Sequence, residues 1–171
     1  MRTLLIKNKF WSLRGHSTVN DISGAPAFEV KGTFSLWRKK KIYDMEGNLL
    51  YIVRNKMIRF FMNSCYIYDG NKTKIARLKQ KFHLLKGEFV LLGYKDEYAI
   101  NGTLGLLSER NMTITRNGEV IGEAGRKFTS AGDVLGATDS FYLTAYHDED
   151  AAFLVALIVA IDNIIDKNAR G

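Results

Sequence analysis

Residues 151–161 read Ala151-Ala-Phe-Leu-Val-Ala-Leu-Ile-Val-Ala-Ile161, eleven apolar side chains in succession. The surrounding segment, 149–167, is about three times the length of an ordinary strand, which predicts a helix. Ala151, Ala152, Ala156 and Ala160 add helix propensity. Asp148, Glu149 and Asp150 stand at its start and Lys167 and Arg170 at its end, the signs that complement a helix dipole. A helix that is apolar all round must be covered all round. A bilayer does not supply that cover. The run spans roughly 16 Å against about 30 Å of hydrocarbon, and Asp162 and Asp166 would carry any extension's charge into the lipid.

Most of what precedes this helix reads as short strands and tight turns. Val19-Asn20-Asp21-Ile22-Ser23-Gly24 leads into Phe28-Glu29-Val30-Lys31-Gly32. Ile42-Tyr43-Asp44-Met45-Glu46-Gly47 leads into Leu49-Leu50-Tyr51-Ile52-Val53. Ile67-Tyr68-Asp69-Gly70-Asn71 and Met112-Thr113-Ile114-Thr115-Arg116-Asn117-Gly118 repeat the layout. Gly and Asn accept the positive φ of hairpin turns, and Val, Ile, Tyr, Phe and Thr suit a pleated surface. Further strands are predicted within 4–13, 56–62, 82–84, 88–92, 98–107 and 140–146, giving about a dozen in all.

These two readings combine into an architecture. A barrel of about eight strands is filled by its own side chains, whereas one of about eleven can hold a helix. The fold class predicted is mainly β: a closed barrel of about twelve antiparallel strands around a buried C-terminal α-helix. A sandwich with the helix on one face would require a polar stripe along 151–161, and none is present.

The chain has 171 residues, enough for one sizeable domain, and it is read as a single domain over 1–171. Pro26 is the only proline, and no linker composition divides it. Cys65 is the only cysteine, which excludes an intrachain disulfide and a cysteine-based zinc cluster. The opening residues Met1-Arg-Thr-Leu-Leu-Ile-Lys hold too short an apolar run for a signal peptide, so a cytoplasmic location is expected. The formal charge of +7 favours nucleic acid, an anionic membrane or an acidic protein as partner.

The order of the motifs also resembles a known family. Val19-Asn20-Asp21-x-x-Gly24-x-Pro26-x-Phe28-Glu29-Val30-Lys31-Gly32 comes first, then Ile42-Tyr43-Asp44-x-x-Gly47-x-x-Leu50-Tyr51-x-Val53. Tyr98-x-Ile100-x-Gly102, Ile121-Gly122-Glu123 and the acidic start and apolar body of the last helix complete the set. The chain is similar to the LURP-one-related proteins, which share the Tubby C-terminal and phospholipid scramblase fold. That resemblance implies a roughly twelve-stranded barrel around a buried C-terminal helix; biochemical roles in the family are mostly undefined, and a non-catalytic role is the one expected here. Tubby proteins bind phosphoinositide headgroups through basic strand residues. The calcium-linked segments of scramblases have no counterpart here, so a scramblase role does not carry over.

Two basic runs are candidate anion-binding or lipid-binding sites. Arg38-Lys39-Lys40-Lys41 alternates charges onto both faces of a strand, and two charged faces cannot both meet a core. The run is therefore expected at a sheet edge or in a projecting loop, either guarding against stray pairing or binding anions. Arg77, Lys79 and Lys81 alternate with Leu78, Gln80 and Phe82, and with Lys74 nearby they form a positive stripe or a merely solvated face. An anionic membrane surface or a protein is the partner expected. Nucleic acid ranks behind them: Trp37, Tyr43, Tyr66 and Tyr68 interleave with the cations, but no reader motif accompanies them. An enzyme with a small-molecule pocket at the barrel mouth is the remaining alternative. No catalytic, metal or cofactor residues are assigned. Asp162 closes the apolar run at the helix end that disfavours an anion; if buried it needs a strand cation or backbone amides, and it is assigned a structural latch role.

Overall fold

The computed structural model describes residues 1–7, 15–33, 39–55, 64–80, 89–102, 112–127 and 140–168. Among them are twelve strands: β1 (Arg2–Lys7), β2 (His16–Asp21), β3 (Pro26–Thr33), β4 (Lys39–Tyr43), β5 (Leu49–Asn55), β6 (Ser64–Asp69), β7 (Lys74–Gln80), β8 (Phe89–Gly93), β9 (Tyr98–Asn101), β10 (Met112–Arg116), β11 (Glu119–Lys127) and β12 (Ser140–Ala145). A 3-10 turn, Asp148–Asp150, leads into helix α1 (Ala151–Asn168). The segments predicted within 56–62 and 82–84, and residues 8–13 and 103–107 of two others, lie outside the described residues.

The strands form one antiparallel sheet in the order β8-β7-β6-β5-β4-β3-β2-β1-β12-β11-β10-β9. Every neighbour is a neighbour in sequence except β1 and β12, which pair from Arg2↔Ala145 to Lys7↔Ser140. The two outermost strands, β8 and β9, are separated in the chain only by residues 94–97. So short a connection cannot span an open twelve-stranded sheet, because each residue reaches at most about 3.5 Å and strands lie about 4.8 Å apart. The sheet therefore curls until its ends meet, giving a nearly closed barrel.

Local chemistry makes the hairpins. Asp21 Oδ1 accepts from the backbone N–H groups of Ser23 and Ala25 at 2.8 and 3.0 Å. Asp44 Oδ1 does the same for Glu46 and Asn48 at 3.0 and 2.8 Å. In each, the residue three places on from the Asp takes a left-handed backbone: Gly24 and Gly47 both have φ +89°. The β6–β7 turn uses the same frame, with Thr73 N–H on Asp69 Oδ1 at 2.8 Å. Its left-handed position is filled by Lys72, at φ 66°, not by the Gly70 that the motif suggested. Asn117 and Gly118, at φ 52° and 85°, make the two-residue turn between β10 and β11.

Inward side chains of the wall enclose α1. Ala151 through Ile161 are each 9% exposed or less, and so are Asp162, Asn163 and Ile164. The all-apolar stretch is thus covered on every side. Leu4, Ile42, Ile67, Leu78, Ile114 and Leu143 face it from six different strands and are fully buried. Each such side chain contributes about 1.5–3 kcal/mol of burial. Gly122 lets the helix approach β11: a Cβ there would sit 2.5 Å from Leu154 Cδ1 and 2.5 Å from the Thr144 carbonyl oxygen. Phe153 is held between Tyr98, stacked at 5.1 Å, and Tyr51, edge-on at 6.0 Å.

The run Lys39-Lys40-Lys41 is not an edge. It forms β4, paired with β3 on one side and β5 on the other. Alternation about the buried Ile42 turns Lys40 into the barrel, where it is 9% exposed. Two charged faces could share a strand because the helix supplies the counter-charge: Lys40 Nζ donates to Asp162 Oδ2 at 3.1 Å. At the other end of the helix Asp150, 2% exposed, receives both terminal nitrogens of Arg116 from β10. The apolar stretch 151–161 is pinned on either flank, to walls contributed by β4 and β10.

Removing one member of the buried Lys40–Asp162 pair leaves a charge without its counter-ion. Asp162→Leu or Lys40→Met alone is expected to cost about 3 kcal/mol or more. The double replacement should recover most of that loss. Denaturant titration of the four proteins reads both the cost and the coupling; equal, additive effects of the two single changes would contradict the latch.

Candidate functional site

Because the sheet is a continuous ladder, register assembles on its outer surface residues far apart in sequence. One row runs Thr33, Lys39, Arg54, Tyr66, Arg77, Leu92 across β3 to β8. The next runs Lys31, Lys41, Ile52, Tyr68, Lys74 across β3 to β7. Lys79 sits beside Ser64, two residues along β7 from Arg77 of the first row. The two basic runs singled out in the sequence therefore belong to one wall, with β5 and β6 between them.

Lys39, Lys41, Lys74, Arg77 and Lys79 all lie on this wall. Lys40 does not; it is inside, on Asp162. Arg38 and Lys81 lie outside the described residues. Arg54 and Lys31 complete the wall and were not singled out, because neither belongs to a basic run. Only the pairings Arg54↔Tyr66 and Lys31↔Lys41 reveal them. Tyr43, Tyr66 and Tyr68, which suit a barrel lining by composition, are on the outer face.

The electrostatics are one-sided. Lys39 faces Arg54, and Lys41 faces Lys31, as direct cross-strand partners. Like charges in that relation destabilise a sheet. The Lys39 ammonium is held below the usual lysine range, first by loss of hydration and then by repulsion from Lys41, Arg54 and Lys72. Lys31 is relieved by an ion pair with Glu29 and lies 5.0 Å from the Tyr43 ring centroid. Among the described residues no carboxylate pairs with Lys74; its ammonium rests 4.5 Å from the centre of the Tyr66 ring. The Arg77 guanidinium is 5.4 Å from the same ring and donates to Ser64 Oγ at 3.3 Å.

The interior offers little to nucleophilic chemistry. Burial pushes the Cys65 thiol up to about 12, so it stays protonated at neutral pH; it donates to Asn55 Oδ1 at 3.2 Å. His16 and His147 are exposed on the surface, beside Glu29 and Glu119 respectively. Among the described residues no three His, Cys, Asp or Glu side chains gather as a metal set, and no helix is long and apolar enough to cross a membrane.

The family model for LURP-one-related proteins matches residues 2–162. The chain belongs to the LURP-one-related family. The protein LURP-one-related 15 of Arabidopsis thaliana is 26% identical over 178 residues, covering 94% of this chain and 79% of that one. The crystal structure of an Arabidopsis thaliana protein has the same fold, with a TM-score of 0.61 and 20% identity, over 96% of this chain and 91% of that one. This LURP-one-related barrel thus joins a family fold to an outer wall whose charge pattern is visible only in register.

Crowded cations on the wall cost the folded state stability. Lys39→Gln is expected to raise the melting temperature slightly while weakening any anion bound there. A fall in melting temperature, read by calorimetry at low salt, would show instead that Lys39 holds the wall together.

Proposed function

We propose that this protein is a non-catalytic binding barrel that recognises anionic lipid headgroups at a cytoplasmic membrane surface through the outer wall of β3 to β7. The observation that carries the reading is the pair of like-charged cross-strand contacts, Lys39 opposite Arg54 and Lys31 opposite Lys41. An arrangement that opposes folding is relieved when an anion sits between the cations. At an anionic membrane surface each Lys or Arg in contact contributes about 1 kcal/mol.

A single-stranded nucleic acid is the competing partner, since tyrosines stand among the cations. The Tyr66 ring, however, is overlain by the protein's own Lys74 and Arg77, which compete with a base for its surface. An acidic protein would use the same charges. The fold of the relatives fits any of these, and the choice rests on the wall.

Sedimentation with phosphatidylcholine vesicles, with and without phosphatidylserine, over a salt series tests the reading. Binding should rise with phosphatidylserine, and that increment should weaken with salt. Lys39→Gln with Lys41→Gln, and separately Arg77→Gln with Lys79→Gln, should each reduce it by more than about tenfold. Binding that ignores both double changes, or tighter binding to single-stranded oligonucleotide than to the vesicles, would overturn it.

A further inference from the structure

Three tyrosines surround one ammonium group at the β6–β7–β8 end of the wall. Lys74 Nζ lies 4.5 Å from the centre of the Tyr66 ring, 6.0 Å from Tyr68 and 5.9 Å from Tyr94. The rings are placed by the backbone. Tyr66 and Tyr68 alternate on β6, their centroids 6.3 Å apart and their planes inclined by 59°. Tyr94 follows β8 directly, and its N–H donates to the Ile75 carbonyl at 3.1 Å, next to Lys74 in the chain. Tyr94 is 56% exposed and Lys74 is exposed, so the group is open to solvent.

A lysine is an imperfect occupant of such a place. Its ammonium is strongly hydrated and carries three N–H donors that seek acceptors. Among the described residues the aromatic rings are its partners, and ring faces do not satisfy N–H donors as oxygen acceptors do. A quaternary ammonium makes no such demand. It has no N–H to satisfy, is weakly hydrated, and gains from several ring faces at once, the arrangement by which choline groups are recognised. Lys74, at the end of a flexible and exposed stem, is free to swing away.

We propose that Tyr66, Tyr68 and Tyr94 form a binding site for a quaternary ammonium group of the choline class, with Lys74 as an internal occupant that the ligand displaces. The group could be carried by a soluble choline compound or by a phosphatidylcholine headgroup; the chemistry recognised is the same. The site shares the Tyr66 ring with Arg77, whose guanidinium is 5.4 Å from its centre, but it involves none of Lys39, Lys41 and Arg54, so the two readings are tested apart.

The test uses the full chain and its Lys74→Ser variant, titrated with tetramethylammonium, choline and phosphocholine by ligand-observed NMR, with ethanolamine as the primary-ammonium control. Vesicles of pure phosphatidylcholine form a second arm. Lys74→Ser should raise the affinity for the quaternary ligands about threefold or more, and leave ethanolamine unbound. Adding Tyr68→Leu and Tyr94→Leu should abolish that binding while the melting temperature shows the barrel still folded. Binding of the soluble ligands assigns the site to free choline compounds; binding seen with phosphatidylcholine vesicles alone, and lost with the tyrosines, assigns it to the membrane. Absence of binding in both arms, equal binding of ethanolamine, or a gain that survives loss of the tyrosines would overturn the proposal.

Discussion

The structure depends on the complete removal of one helix from water. Helix α1 has no face suited to a surface, and the wall has an interior that its own side chains do not fill. Each requires the other. This mutual need explains why a meander of short hairpins closes instead of remaining an open sheet. Among the described residues, the ion pairs of this region flank the apolar stretch of the helix. Arg116 holds Asp150 at one end, Lys40 holds Asp162 at the other, and about 18 Å of apolar helix lies between. Apolar packing supplies affinity between helix and wall but little sense of depth. The two ion pairs, on different strands, set how far the plug enters and which way it is turned.

Much of this was legible in the chain. The run from Ala151 to Ile161 announced a helix needing cover on all sides, and Asp21, Asp44 and Asn117-Gly118 announced hairpins. The position of Lys40 was not legible. Strand alternation showed that Lys40 and Lys41 face opposite ways, but it could not show that Asp162, far away in sequence, waits inside the barrel. Without that carboxylate, an edge strand is the sensible reading of four consecutive cations. The place of Asp162 at the end of the apolar run shows that, if buried, it needs a strand cation or backbone amides. What the sequence withheld was the pairing between the two anomalies, each of which explains the other.

The outer wall shows a similar limit. A basic run is visible along a strand, whereas the row Lys39, Arg54, Tyr66, Arg77 runs across strands and depends on register at every step. Arg54 is an isolated arginine in the sequence and a central cation on the surface. The wall is also where the fold departs from its own stability. Like charges face each other across β4, and Lys39 is desolvated among cations.

Native-state hydrogen exchange of the helix is the most direct test. If α1 is a plug that the barrel cannot release without opening, the amides of residues 154–161 exchange only through global unfolding. Their opening free energy and denaturant dependence then match those of Ile42, Ile67 and Leu78 in the wall. Exchange of those helix amides through a smaller opening, with the wall strands still protected, would contradict the account.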